Sequence, residues 1–210
     1  MKEVLFYDLH NLVLSGTDLF LKLLTISGFL DRLGVYHDDN KERARQQIAR
    51  ILHARNQTID NILKPWNLYR HEAFNYVYNM LSAQQTLQNI YTNQDGQARV
   101  REALTNNRDE LYSLWERVAH LFTYEGKTNT IKISDLTKEI TTESDKGRII
   151  IIDLSEIHVL DNILWNDETK MVVINEFLRS LNRDAQELFK AGKLINTLVI
   201  IDEAHRLAPR

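Results

Sequence analysis

Apolar residues recur at steps of three and four over residues 19–121, the pattern of helices that each bury one stripe. Leu19, Phe20, Leu23, Leu24 and Ile26 follow Ser15-Gly16-Thr17-Asp18, which supplies capping residues, and predict a first helix. A charged stretch from Asp38 to Ile62 sets Ala44, Ile48, Ile51, Leu52, Ile59 and Ile62 on one side of a helix, with Pro65 punctuating its end. From Trp66 to about Tyr91 the positions Tyr69, Ala73, Tyr76, Val77, Met80 and Leu81 keep the same period. From Asp95, the series Val100, Leu104, Leu111, Leu114, Val118 and Leu121 continues it. Amphipathic helices joined this briefly bury their stripes against one another.

The pattern changes near Thr123. Residues Thr128 to Ile133 alternate as a short strand does, and Ser134-Asp135 can cap a helix to about Ile140. Four isoleucines, Ile149 to Ile152, then lead into Asp153, which predicts a strand buried on both faces as in parallel sheets. A long helix follows, with Ile174, Phe177, Leu178, Leu181, Ala185 and Leu188 on one stripe and Gly192 suited to its C-terminal end. Thr197-Leu198-Val199-Ile200-Ile201-Asp202 predicts a second buried strand and so a βαβ unit. The expected fold is therefore α/β: a mainly helical subdomain over residues 1–123, then a partial parallel sheet over 124–210.

Composition narrows the classes. With 210 residues, one ordinary domain or a domain plus a large insertion fits. Only 7 glycines and 2 prolines are present, too few for a turn-rich all-β fold. No window approaches the apolar run of about 18 residues that a membrane span needs, and Met1-Lys2-Glu3-Val4 does not open like a signal peptide. A cytoplasmic location is expected. The absence of cysteine removes disulfides and thiolate metal sites, and the 7 histidines, His37, His53, His71 and His120 among them, are scattered rather than paired with carboxylates. A net charge of −3 argues against a globally basic nucleic-acid binder. The run Lys41, Arg43, Arg45, Arg50 and Arg55 reads as a solvated helix face before it reads as a DNA contact. The aromatics between Trp66 and Tyr91 invite base stacking, yet they track the apolar face and read first as core.

The chemistry lies at the C-terminal end. An apolar strand followed by Asp202-Glu203 puts two acids at the carboxyl edge of a parallel sheet, where ligands collect in open α/β folds. Acids are common at strand ends. The wider string Leu198-Val199-Ile200-Ile201-Asp202-Glu203-Ala204-His205-Arg206-Leu207-Ala208-Pro209 is far more specific. It resembles the Walker B segment of the FtsK–HerA superfamily of hexameric DNA-pumping ATPases, the HerA branch in particular. Gly147 to Ser155 is similar to the strand preceding Walker B in that family, and Ser15 to Leu19 to the entry of its helical region. The resemblance is sharp over about Gly147 to Arg210 and diffuse over the helices.

The resemblance implies a RecA-like P-loop core with a helical insertion. It makes Asp202 the acid that holds Mg²⁺ through water beside bound ATP, and Glu203 the catalytic glutamate that polarises the attacking water. His205 and Arg206 would couple nucleotide state to a channel or a neighbouring subunit, or simply lie on the surface. Asp153 reads as a turn-initiating or capping acid before a magnesium-associated one. In the complete protein the resemblance implies ATP hydrolysis coupled to DNA translocation, a homo-hexamer, no membrane, and a partner nuclease or other effector.

A phosphate loop of the form Gly-x-x-x-x-Gly-Lys-Ser/Thr is absent from the 210 residues. Gly126-Lys127-Thr128 has Leu121 where the first glycine belongs and stands between a helix and a strand, the reverse of the required context. The family carries that loop upstream of the helical region, so the expectation is an internal piece of a larger ATPase, inactive in hydrolysis alone and prone to self-association through open sheet edges. Two alternatives stay open. Asp202-Glu203-Ala204-His205 spells the box of a DEAD/DEAH helicase. A non-catalytic helical module that binds a partner is the other.

Overall fold

The structure, a computed structural model, describes residues 3–8, 11–125, 130–142, 148–153, 163–193 and 197–200. It is a mostly helical α/β chain with small parallel sheets. Two compact units divide it: Leu14–Gly126 with Val159–Leu164, and Met1–Val13 with Lys127–His158 and Trp165–Arg210.

The first unit is helical. Its elements are α1 (Thr17–Ile26), α2 (Phe29–Arg32), α3 (Asp38–Leu52), α4 (Gln57–Leu63), α5 (His71–Ser82), α6 (Gln84–Ile90), α7 (Gln94–Asn106) and α8 (Arg108–Ala119), with 3₁₀ turns at Pro65–Asn67 and His120–Phe122. The three long helical stretches expected from spacing are each broken. Between α3 and α4, Asn56 caps the new helix by accepting from the Thr58 amide at 3.2 Å. Ala83 is extended, at φ −65° and ψ 136°, and divides α5 from α6. That break has a packing reason: α5 buries Val77 and Leu81 and α6 buries Leu87 and Ile90. Leu81 and Leu87 in one continuous helix would face directions about 120° apart. Asn107 separates α7 from α8 and donates from its side chain to the Arg32 carbonyl at 3.3 Å.

The core of this unit is aromatic. Trp115 is wholly buried and meets Phe20 edge-on at 4.8 Å between centroids, with Phe74 at 6.0 Å and Phe29 at 6.2 Å. Its indole N–H donates to the Leu68 carbonyl at 2.6 Å, which satisfies the one polar atom of the side chain. Gly96 has a separate packing role. A Cβ there would run into the ring of Tyr91 and lie 2.7 Å from the Asn93 carboxamide oxygen. That same oxygen caps α7 by accepting from the Gly96 amide at 2.8 Å.

Tyr112 on α8 donates to Glu116 at 3.0 Å. Burial, the hydrogen bond to Glu116, and the negative charges of Glu116 and Glu72 push its pKa up to about 12. The fold thus favours the neutral phenol. This contribution to stability is complete below the ordinary tyrosine pKa of about 10 and is lost as pH rises from there through about 12. In an alkaline titration followed by phenolate absorbance, a late-ionising tyrosine is expected, and Tyr112→Phe should remove that late step and no other.

In the second unit β1 (Glu3–Asp8) pairs in parallel with β4 (Arg148–Asp153), from Glu3↔Arg148 to Asp8↔Asp153. β2 (Leu12–Val13) pairs in parallel with β3 (Ile131–Lys132). The helix α9 (Ile133–Thr141) packs against α10 (Asp167–Lys190). Their contact contains a buried polar cluster. The Thr137 hydroxyl donates to Asp184 at 2.6 Å and lies 3.0 Å from the Ser180 hydroxyl, while Arg183 donates to Asp184 at 3.1 Å. The carboxylate of Asp184 is thereby satisfied despite its burial. Asn166 caps α10 by accepting from the Thr169 amide at 2.8 Å. At the other end Gly192, at φ 72°, completes a Schellman cap in which Lys193 N donates to Leu188 O at 3.0 Å and Gly192 N to Phe189 O at 3.0 Å.

Candidate functional site at the carboxyl edge of the parallel sheet

The strand ending in Asp153 forms as the isoleucine run predicts, but its partner differs. β4 pairs with β1, whose sequence Val4-Leu5-Phe6-Tyr7-Asp8 repeats the same plan of an apolar run ending in an acid. Because the pair is parallel and in register, Asp8 and Asp153 stand opposite each other at the carboxyl edge. Just beyond, the Asn11 carboxamide lies 3.5 Å from the Asp8 carboxylate as donor. Carboxylate oxygens are the kind of hard donor that a hydrated divalent cation such as Mg²⁺ takes. Among the described residues no group of three or more His, Cys, Asp or Glu is placed to hold a metal directly.

Burial on both faces does not hold for this strand. Val4 and Phe6 on β1 and Ile149 and Ile151 on β4 are exposed, at 58%, 56%, 44% and 43%. The alternating residues Leu5, Tyr7, Ile150 and Ile152 are half-buried. Alternation sends successive side chains to opposite faces. Among the described residues, one face of the pair is therefore better covered and the other is an open apolar surface.

The expected second buried strand is also corrected over its described part. Residues 197–200 have no regular secondary structure, and Leu198, Val199 and Ile200 are 83%, 46% and 82% exposed. A strand is held by ladder bonds to a neighbour and by layers over its faces. The described residues give this segment neither, although the Thr197 hydroxyl donates to the Ile140 carbonyl at 3.2 Å. The βαβ unit of residues 148–202 is accordingly not formed in the described residues; the parallel partner of β4 comes from the start of the chain. Asp202, Glu203, His205 and Arg206 lie outside the described residues, as does Gly126-Lys127-Thr128.

The other sequence candidates divide. Among the basic residues of α3, Lys41 pairs with Asp31 at 2.6 Å and Arg45 with Glu42 at 3.1 Å, while Arg43 and Arg50 are exposed, as is Arg55 in the connection that follows. Of the aromatics between Trp66 and Tyr91, Phe74 and Tyr91 are buried as core residues. Trp66 is 49% exposed. Asp8 was not among the acids singled out from sequence, although the run preceding it carried the signal. No described helix is long and apolar enough to cross a membrane. Compared with models of known protein families, with curated proteins and with solved structures, the chain matches none.

Proposed function

We propose that this chain belongs to the ATPase core of a HerA-type DNA translocase, with the helical unit inserted ahead of the later strands. The observation that carries the reading is the in-register parallel pair β1–β4, with Asp8 and Asp153 at one carboxyl edge. That edge is where a RecA-like sheet binds nucleotide. The string from Leu198 to Pro209 supports it by resemblance, and the open apolar face of Val4, Phe6, Ile149 and Ile151 is a surface on which further core elements would pack.

In this reading Asp202 holds the hydrated magnesium and Glu203 polarises water. Bound Mg-ATP supplies the phosphoanhydride whose hydrolysis drives movement on DNA. The chain's own contribution is to fix the acids of β1 and β4 on strand ends so that they need not reorganise during the reaction. Phosphate binding falls to a P-loop that these 210 residues do not contain, sites lie between subunits of a homo-hexamer, and a nuclease or other effector completes the machine.

The test is ATP binding and hydrolysis by a longer polypeptide that supplies a glycine-rich Lys-Ser/Thr loop ahead of Met1 and strands beyond Arg210. Magnesium-dependent hydrolysis stimulated by DNA is the expected result. Neither binding nor hydrolysis in that polypeptide would leave the helical partner-binding module as the function. The closed aromatic core around Trp115 favours that second reading, because the helical unit has a complete interior of its own.

A further inference from the structure

The helical unit presents an organised aromatic surface around its two 3₁₀ turns. Trp66, in the first turn, is 49% exposed although tryptophan is among the side chains most favoured for burial. The Lys64 ammonium lies 5.4 Å from its ring centroid. Three residues on, Tyr69 stacks with His120, the first residue of the second turn, at 6.3 Å and 27° between planes. The Arg70 guanidinium lies 5.9 Å from the Tyr69 ring. Tyr69 and His120 are half-buried and Arg70 is exposed, its Nε donating to the Tyr69 hydroxyl at 3.4 Å.

The support beneath these rings is rigid. Trp115 donates to the Leu68 carbonyl from the core at 2.6 Å, between Trp66 and Tyr69 in sequence. Asn67 N donates to Lys64 O at 2.8 Å and Arg70 N to Asn67 O at 3.0 Å, while the Asn67 side chain donates to Asn61 O at 2.6 Å. A rigid aromatic support loses little entropy when a flat ligand lies on it.

We infer that this surface binds single-stranded nucleic acid, with bases stacking on Trp66 and on the Tyr69–His120 pair and phosphates meeting Lys64 and Arg70. Aromatic faces take unstacked bases of any identity, and cations beside them follow the backbone. A duplex, with its bases stacked internally, cannot use the rings. A proline-rich peptide also docks on exposed aromatics, but it brings no phosphates to the two cations. Among the described residues the acids flanking the patch are Asp60, 3.9 Å from Lys64, Glu72 beside His71, and Glu116, one turn before His120. This inference does not rest on the motor reading, since it uses no residue of the sheet and needs no nucleotide.

The experiment is fluorescence anisotropy of the full chain with a labelled oligothymidylate of about twelve nucleotides at about 50 mM salt. Binding is expected, with Trp66→Ala weakening it about tenfold and Trp66→Phe staying near wild type. Arg70→Ala should weaken binding and flatten its salt dependence by about one unit of slope. Trp66 is exposed, so its variants should melt with the parent, and affinity loss then reports the surface rather than the fold. Absence of binding, a Trp66→Ala affinity within about twofold of wild type, or equally tight binding of duplex would overturn the inference. Tight binding of a proline-rich peptide with none of oligothymidylate would overturn it too, by giving the surface to a protein partner.

Discussion

Trp115→Ala should lower the melting midpoint of the helical unit by roughly 10–20 °C. The side chain is wholly buried and touches Phe20, Phe29 and Phe74, so truncation removes the centre of the aromatic cluster. Large-to-small changes at such sites cost about 3–5 kcal/mol because the neighbours collapse only in part. The indole N–H also holds the Leu68 carbonyl, and leaving that acceptor unpaired adds about 1 kcal/mol or more. Since a domain of this size has a margin of roughly 5–15 kcal/mol, the loss removes from about a third of it to all of it. Trp115→Phe separates the contributions: it keeps a ring in the cluster and loses the hydrogen bond, so it should fall between the two. Thermal melts read by far-ultraviolet circular dichroism check both variants. An alanine variant melting within about 2 °C of the parent would show that the cluster is not the keystone of this unit.

The helices were legible because their stripes face a common core, and spacing records that directly. Their breaks were less so, for a geometrical reason. Leu104 on α7 and Leu111 on α8 fall within about 20° of each other when the helix is continued through Asn107. Leu52 on α3 and Leu63 on α4 are likewise in phase across Asn56. Periodicity therefore passes through both interruptions unchanged. Only the asparagines mark them: Asn56 through a local cap on the Thr58 amide, and Asn107 through a bond to the distant Arg32 carbonyl. At Ala83 the phase does shift, and the step from Leu81 to Leu87 could have been read as a break.

The site was legible in its parts and not in its pairing. The isoleucine run predicts a strand where β4 lies, since four apolar β-branched side chains ending in an acid have few other solutions. Which strand lies beside it depends on contacts between distant parts of the chain, and no local pattern encodes that choice. The run Val4 to Tyr7 is too short for its pattern to single it out, yet it supplies the partner of β4 and a second acid, Asp8. Burial was misjudged for the same reason. A run of apolar residues reports what a strand can be buried by, whereas Val4, Phe6, Ile149 and Ile151 have no described layer over them.

Glu203→Gln should abolish ATP turnover in the longer polypeptide while sparing nucleotide binding. In the proposed reading the Glu203 carboxylate accepts a proton from, or at least polarises, the attacking water. Glutamine keeps the shape and removes the basic oxygen. General-base contributions of this kind are about 10²–10⁴-fold in rate. Affinity for ATP should stay within about threefold, because phosphate binding rests on other groups. Asp202→Asn should act differently, by weakening magnesium affinity and so raising the magnesium requirement of both nucleotide binding and turnover. Asp8→Asn and Asp153→Asn test whether the β1–β4 edge shares the same space: a raised magnesium requirement in either variant would place the two strand ends beside the metal. Single-turnover hydrolysis alongside equilibrium binding of a fluorescent nucleotide gives each quantity separately. If Glu203→Gln hydrolyses ATP at the parental rate, the acid after the Leu198-to-Asp202 run is a surface residue, and the translocase assignment goes with it.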